Sequence, residues 1–236
     1  MTFSMNRVMA ILQKDYKDVS RNLYVSTTII VPLILALFYG KSDDITIDAH
    51  YMIINLTFIM VGAYIQSALV AEEKEKNTLR GLTLSPASIY EIFLGKSLLS
   101  MLATGIILYA SIRLLGYNPA NMAVVLVGLL LSLVFYVGIG TFVGLLTKSV
   151  MEASVAIMPC LILFTWGSSL ITFADSIPAL KAVTYLPNVQ LVQLAEAVEK
   201  GAGFAGVWSN LIVIALWIVV IYSLCVYLYK KRMVDA

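Results

Sequence analysis

The stretch EEKEKNTLRGLTLSPASIYEIFLGK, residues Glu72–Lys96, is polar and lies between two apolar runs, Tyr51–Ala71 and Leu94–Leu115. Each run is long enough to cross a bilayer, for which a helix needs ~20 apolar residues. The chain of 236 residues is 60% hydrophobic and 13% charged, whereas soluble domains average ~25% charged residues. The stretch therefore connects two spans of an integral membrane protein.

Inside this stretch the sequence predicts a helix, a turn and a second helix. Glu72 and Lys76 stand four residues apart in the order that stabilises a helix. Pro86 ends the first helix, because the residue before a proline is disfavoured in the helical region. Ser88 and Glu91 have the spacing of a capping box, so a second helix is expected to begin near Ile89 and continue into the next span.

Apolar periodicity outside the stretch predicts six spans in one all-α domain, preceded by an amphipathic helix over residues 1–21 that lies in the membrane interface. Packing of that first helix on protein is the alternative. A longer segment, residues 175–206, follows the fifth span; Asn188 is expected to cap a short helix in or on the outer leaflet that ends at Lys200 and Gly201. The six spans are Leu23–Tyr39, Tyr51–Ala71, Leu94–Leu115, Met122–Leu146, Ala153–Ala174 and Val207–Tyr229. The apolar positions of the first helix are Met5, Val8, Met9, Leu12, Tyr16, Val19 and Leu23.

The distribution of basic residues predicts the orientation. Of the 16 lysines and arginines, all but Lys41, Arg113, Lys181 and Lys200 fall on the side that contains both termini and the Glu72–Lys96 stretch. Cytoplasmic loops carry the excess of Lys and Arg. Both termini and the stretch are therefore expected to be cytoplasmic. The formal net charge of +2 gives no indication of nucleic-acid binding.

The segment EKEKNTLRGLTLSPASIYEIFLGK resembles the one that follows the second transmembrane helix in ABC-2-type permeases, the membrane subunits of many ABC exporters. In that family the pattern is E-[RK]-E-x-G-T-L-E-x-L-x-x-[ST]-P followed by a lysine-bearing helix start. Asn77 stands here in place of the usual glycine and Arg80 in place of the usual glutamate. The matching residues are Glu73, Glu75, Thr78, Leu79, Leu82, Ser85, Pro86 and Lys96.

The resemblance implies an ABC-2 (type V exporter-like) architecture in a bacterial or archaeal cell membrane. It also implies that residues 72–93 form a coupling segment that docks on a separate ATPase. Two copies of this chain, or this chain and a related one, would recruit two ATPase subunits. These subunits would bind ATP-Mg, and the permease itself would bind no cofactor. Glu73 and Glu75 are then expected to pair with cations on the ATPase.

Polar side chains within the spans predict either hydrogen bonds between helices or a translocation path between two permease subunits. Asn55 and Gln66 share one face of the second span, and Thr165 and Ser168 belong to a polar group on the fifth. Phe58 would contribute an aromatic surface to the same path. Gly140 and Gly144 form a G-x-x-x-G pair in the fourth span that predicts close helix packing within the subunit, with a dimer contact as the alternative.

The sequence gives little support for catalysis or metal binding. His50 is the only histidine, so no H-E-x-x-H zinc motif is present. Gly95-Lys96-Ser97 resembles the end of a P-loop, but Tyr90 occupies the position of the required glycine. The residues therefore indicate a transporter subunit whose ATP is hydrolysed by another polypeptide.

The expected function is export of a hydrophobic or amphipathic solute, such as a drug or an antimicrobial or bacteriocin-like peptide. Sodium or a lipid-linked glycan is a less favoured cargo. A non-transporting scaffold or sensor subunit is the alternative class. A secondary carrier is disfavoured, because no charged residue lies in mid-membrane to couple an ion.

Overall fold

A computed structural model describes residues 4–21, 27–42, 45–76, 89–171 and 177–234, and every regular element within these ranges is helical. A 3-10 helix, Pro178–Tyr185, precedes the seventh α-helix. The α-helices of the described ranges are α1 Met5–Arg21, α2 Ile30–Tyr39, α3 Ile47–Glu75, α4 Ile89–Leu114, α5 Met122–Leu146, α6 Val150–Leu170, α7 Pro187–Glu199 and α8 Phe204–Val234.

Five of the described helices, α3, α4, α5, α6 and α8, are long and apolar enough to cross a membrane. The all-helical, multi-span prediction is therefore confirmed. The first predicted span is represented by α2, which covers 10 residues and is shorter than the ~20 residues that a bilayer requires. Residues 22–26 lie outside the described ranges, so the first predicted span, Leu23–Tyr39, stays a prediction.

Helix α3 forms the centre of the bundle. Of its most apolar stretch of 18 residues, 94% is buried, whereas only 17% of the corresponding stretch of α8 is buried. Its middle, Phe58–Ala63, is a π-helical turn, which the periodicity of the sequence did not predict. Phe58 stacks on Tyr136 of α5 with ring centroids 5.2 Å apart, and Tyr136 meets Phe164 of α6 edge-on at 5.5 Å. The first contact joins α3 to α5, and the second joins α5 to α6.

The G-x-x-x-G pair of α5 lies against α3, within the subunit as predicted. A Cβ atom on Gly140 would lie 2.2 Å from the carbonyl oxygen of Ala63. One on Gly144 would lie 2.7 Å from the carbonyl oxygen of Ser67. Only glycine allows these two backbones to approach so closely.

Helix α1 occupies the predicted residues but presents a different face to the protein. Val8, Ile11 and Asp15 are buried, and α1 packs chiefly against α4. By contrast Met5 and Tyr16, which the sequence assigned to the apolar face of a helix lying in the membrane interface, are 59% and 62% exposed. Helix α4 therefore covers a stripe of α1 beside the predicted apolar face, and the position of that face in the membrane interface stays a prediction.

The region after α6 differs most from the predictions. Helix α7 does not begin with Asn188 as its cap, because Pro187 is its first residue and Leu186 the residue before it. Asn188 is buried and its Nδ2 donates to the carbonyl oxygen of Phe164 at 3.1 Å. The buried apolar residues of α7 are Val189, Leu191, Val192, Leu194, Ala195 and Val198. The helix therefore packs among α3, α5, α6 and α8, and its position in or on the outer leaflet stays a prediction.

Helix α6 is interrupted at Ile157, between Val150–Ala156 and Met158–Leu170. Pro159 accounts for the interruption, because its ring has no N–H and clashes with the carbonyl group four residues earlier. Gly201 follows α7 with φ +90°, which confirms the glycine predicted at that helix end.

Candidate functional site

The last turn of α3, which leads into residues 77–88, carries four consecutive charges, Glu72 to Glu75. Glu72 pairs with the residue that follows its own helix, because its Oε1 lies 2.5 Å from Nζ of Lys76. This is the four-residue pair that the sequence predicts. We call the next three residues, Glu73, Lys74 and Glu75, the junction, because each contacts a different neighbouring element.

Glu73 connects α3 to α1 and α4. Its Oε1 lies 3.0 Å from Nζ of Lys14 and 2.7 Å from Nζ of Lys96. Lys96 also lies 3.6 Å from Oδ2 of Asp15. Glu73, Lys96 and Asp15 are all buried. The sequence prediction placed Glu73 against cations of a partner, but in the structure its cations come from the same chain.

The buried cluster shifts the pKa values of two residues of α1, Asp15 and Lys14. Burial raises the pKa of Asp15 above its ordinary value, and the nearby ammonium groups of Lys96 and Lys14 only partly oppose this rise. Burial acts to lower the pKa of Lys14, but the carboxylates of Glu73 and Asp15 outweigh it and raise that pKa. Lys14 therefore stays cationic, and the cluster holds opposite charges in contact.

Lys74 binds the end of α5. Its Nζ donates to the carbonyl oxygens of Leu145 at 2.8 Å and Gly144 at 3.4 Å, and also to that of Thr147. The last carbonyl groups of a helix have no partner within the helix and carry partial negative charge. An ammonium group placed there satisfies them and offsets that charge.

Glu75 binds the start of α6. Its Oε2 accepts a hydrogen bond from the backbone N–H of Val150 at 3.0 Å, where the free N–H groups of a helix carry partial positive charge. The same turn is also capped locally, because Oγ of Ser149 accepts from the N–H of Glu152 at 3.2 Å. Lys74 and Glu75 thus hold both ends of the short connection between α5 and α6.

The first helical turn of α4 is also fastened to α1. Glu91 accepts from the N–H of Ser4 at 2.5 Å and from the guanidinium of Arg7 at 3.1 Å. One turn on, a Cβ on Gly95 would lie 2.9 Å from Cβ of Ile11, so the glycine permits close contact. Both helices that flank residues 77–88 are therefore attached to α1.

The predicted path residues of α3 make contacts inside the subunit. Oδ1 of Asn55 accepts from the hydroxyl of Tyr136 at 3.0 Å. Gln66 donates to Oγ1 of Thr141 at 3.0 Å and accepts from Oγ of Ser100 at 2.8 Å. These bonds join α3 to α4 and α5, in the way that the interhelical alternative describes.

The predicted path residues of α6 are more open. Thr165 is buried and Ser168 half-buried, while Trp166 between them is 46% exposed. Gly167 faces Asn188 of α7 so closely that a Cβ would lie 2.4 Å from its amide nitrogen. One side of α6 thus packs on α7, and the other side is exposed on the surface of the bundle.

The family model described as ABC-2 family transporter protein matches residues 45–227, which include α3 to α7 and most of α8. The chain belongs to this family. It is thus the multi-pass membrane domain of an ABC transporter, a permease that works with an ATPase. No curated protein matches the chain. Membrane components of ABC-2 permeases are typically non-catalytic.

The remaining predicted coupling residues of this ABC-2 permease, Thr78, Leu79, Leu82, Ser85 and Pro86, lie outside the described residues, as does Ser88 of the predicted capping box. The helix expected to follow them does begin at Ile89.

Sequence reasoning missed the partners that hold this end of the ABC-2 permease together. Asp15 follows Val8 and Ile11 at spacings that place all three on one helical face, so an acid on a packing face was the available signal. Lys74 was counted only as a basic residue of the cytoplasmic side, and Lys96 was counted there and as the lysine of the family pattern. The acceptors of Lys74 include backbone carbonyls of α5, which no side-chain motif identifies.

Proposed function

We propose that this permease is an exporter subunit that moves a hydrophobic or amphipathic solute, such as a drug or an antimicrobial or bacteriocin-like peptide, out of the cell. ATP-Mg binds to a separate ATPase. The observation that carries the proposal is the position of residues 77–88 in a chain that belongs to the ABC-2 family. They connect α3, the most buried helix, to α4 at the bundle end where α1, α5 and α6 are also attached.

The docking site for the ATPase is proposed to be residues 77–88. Leu79 and Leu82 would fill an apolar groove on the ATPase, since buried apolar anchors dominate many interfaces. Thr78 and Ser85 would line the same segment, and Pro86 would stiffen the turn before α4. Glu73 and Glu75 are engaged within the chain, so their proposed role is to hold the base of this segment.

The transport path is proposed to run between two permease subunits, either two copies of this chain or this chain and a related one. The open side of α6, with Ser168 and Trp166, would face it, and Thr165 would stand just behind. Asn55, Phe58 and Gln66 would support that surface by holding the neighbouring α3 in position. Two ATPase subunits would serve the pair.

The docking proposal is tested by co-purification of the permease with its ATPase. Replacing Leu79 and Leu82 by Asp should release the ATPase, because the interface would bury charges without partners. Met151→Asp is the control, since Met151 is an 80% exposed apolar residue of the first turn of α6. A double variant that keeps the ATPase as fully as the control would refute docking at residues 77–88.

The transport proposal is tested in proteoliposomes that contain both subunits and a lipophilic dye. Accumulation of dye that depends on ATP-Mg is expected, and Pro86→Ala should reduce it while the ATPase stays bound. Absence of ATP-dependent movement for every hydrophobic probe, with a bound and active ATPase, would favour a scaffold or sensor role instead.

A further inference from the structure

We propose that the three junction residues are positioning residues that pass a displacement of residues 77–88 from α3 to α4, α5 and α6. This inference rests on the proposed function, because that function supplies the displacement. It adds which side chains carry the motion and to which helices.

The junction reaches several neighbours because its residues are consecutive. Successive side chains on an α-helix point ~100° apart, with 3.6 residues per turn. Three in a row therefore fan out over about half of the helix circumference. Glu73 meets Lys14 and Lys96, Lys74 meets the end of α5, and Glu75 meets the start of α6.

Each contact fits the polarity of the group it meets. Lys74 places a cation on the carbonyl end of α5, and Glu75 places an anion on the N–H end of α6. Both arrangements are favoured by the partial charges at helix ends. Glu73 instead joins two cations that come from different helices, with Asp15 balancing the second positive charge.

The connection between α5 and α6 is short, so the contacts at its two ends restrain the end of α3. Helix α5 ends at Leu146 and α6 begins at Val150, so the connection offers little slack. Lys74 binds one end of this connection and Glu75 binds the other. The end of α3 therefore cannot shift without moving α5 and α6 or breaking both contacts.

Glu72 supplies a matched control from the same run of charges. Its pair with Lys76 stays within the last turn of α3 and the residue that follows it. Glu72→Gln removes one negative charge from the end of α3, as the Glu75 variant does, but among the described residues Glu72 makes no hydrogen bond or ion pair with α4, α5 or α6 that the substitution would remove.

The response is best measured far from the junction. Lys200 is exposed at the end of α7, and α7 packs on the first part of α3, Ile47–Thr57. From Thr57 to Glu75 the helix extends over ~27 Å at 1.5 Å per residue. A nitroxide at Lys200, in a background with Cys160→Ala and Cys225→Ala, therefore reports motion that has crossed the bundle.

The experiment uses the permease and its ATPase together in lipid nanodiscs. Access of a water-soluble nickel complex to the nitroxide is measured without nucleotide and after trapping with ATP-Mg and vanadate. Glu72→Gln should show the full nucleotide-dependent change. Lys74→Met and Glu75→Ala should reduce it to less than half while the ATPase still co-purifies, and Lys74→Arg should restore it.

A full change in both Lys74→Met and Glu75→Ala would overturn the proposal, and so would an equal loss in Glu72→Gln. If Lys74→Met fails to fold, Glu75→Ala decides alone, because its hydrogen bond is solvent-exposed. If the background permease binds no ATPase, the proposed function itself fails, and this inference with it. Bound, active ATPase with unaltered responses in the junction variants refutes the positioning role alone.

Discussion

The contact between α5 and α3 at Gly140 allows a sharp test of the fold. In Gly140→Ala the new Cβ would lie 2.2 Å from the carbonyl oxygen and 2.8 Å from Cα of Ala63, whereas ordinary contact begins at 3.4 Å. Both obstructing atoms belong to the backbone of α3, so no side-chain rotation relieves the overlap. The two helices must move apart by roughly 1 Å, an overpacking that typically costs about 1–3 kcal/mol.

The matched control is Gly105→Ala in α4, because a Cβ there meets no atom within 4 Å. Both substitutions gain the same intrinsic helix propensity, roughly 1 kcal/mol. The difference between the two variants therefore isolates the helix contact. Gly144→Ala should lie between them, since its closest contact is 2.7 Å.

The assay is reversible unfolding in mixed detergent micelles, followed by tryptophan fluorescence, on the purified chain. The free energy of unfolding should fall in the order Gly105→Ala, Gly144→Ala, Gly140→Ala, with ~1–3 kcal/mol between the first and the last. Equal stability of the Gly140 and Gly105 variants would mean that α3 and α5 do not meet at Gly140, and the central position of α3 would have to be abandoned.

Three further predictions concern the charges and polar groups of the bundle. Lys96→Met should destabilise the chain by ~3–5 kcal/mol, because it leaves buried carboxylates short of a cation; Lys96→Met combined with Glu73→Met should recover part of the loss, and a double variant less stable than the single one would contradict the pairing. Gln66→Leu should lower the free energy of unfolding by ~0.6–1.7 kcal/mol, as for other hydrogen bonds between membrane helices, and reduce abundance in parallel; an altered dye profile at full abundance would instead place Gln66 in the path. A cysteine at Lys181 should react with an impermeant maleimide added outside intact cells and one at Asp235 should not, and labelling of Asp235 would reverse the orientation derived from the basic residues.

Several features of this permease follow from local sequence. Apolar length alone predicts the spans, because a bilayer forces each crossing segment to satisfy its own backbone hydrogen bonds. The start of α4 at Ile89 and the glycine after α7 were also predicted, since helix ends depend on a few neighbouring residues. The close packing of Gly140 and Gly144 was predicted for a similar reason, as small residues four apart make one flat surface.

Other features depend on which helices become neighbours. Composition alone could not show that α7 is buried or that Asn188 serves the backbone of α6, because its apolar face suits a membrane surface and a protein interior equally well.

The junction shows the same division most clearly. The residues Glu72 to Glu75 predict a charged helix end, and Glu72 makes the local pair with Lys76 that the sequence predicts. Glu73, Lys74 and Glu75 have the same residue types, yet they bind partners that are distant in the sequence. Lys14 is 59 residues from Glu73, Leu145 is 71 residues from Lys74, and Val150 is 75 residues from Glu75. The sequence determined that this helix end is charged. Only the tertiary structure decided which charges pair locally and which bind other helices, because two of the three partners present backbone groups that every residue possesses.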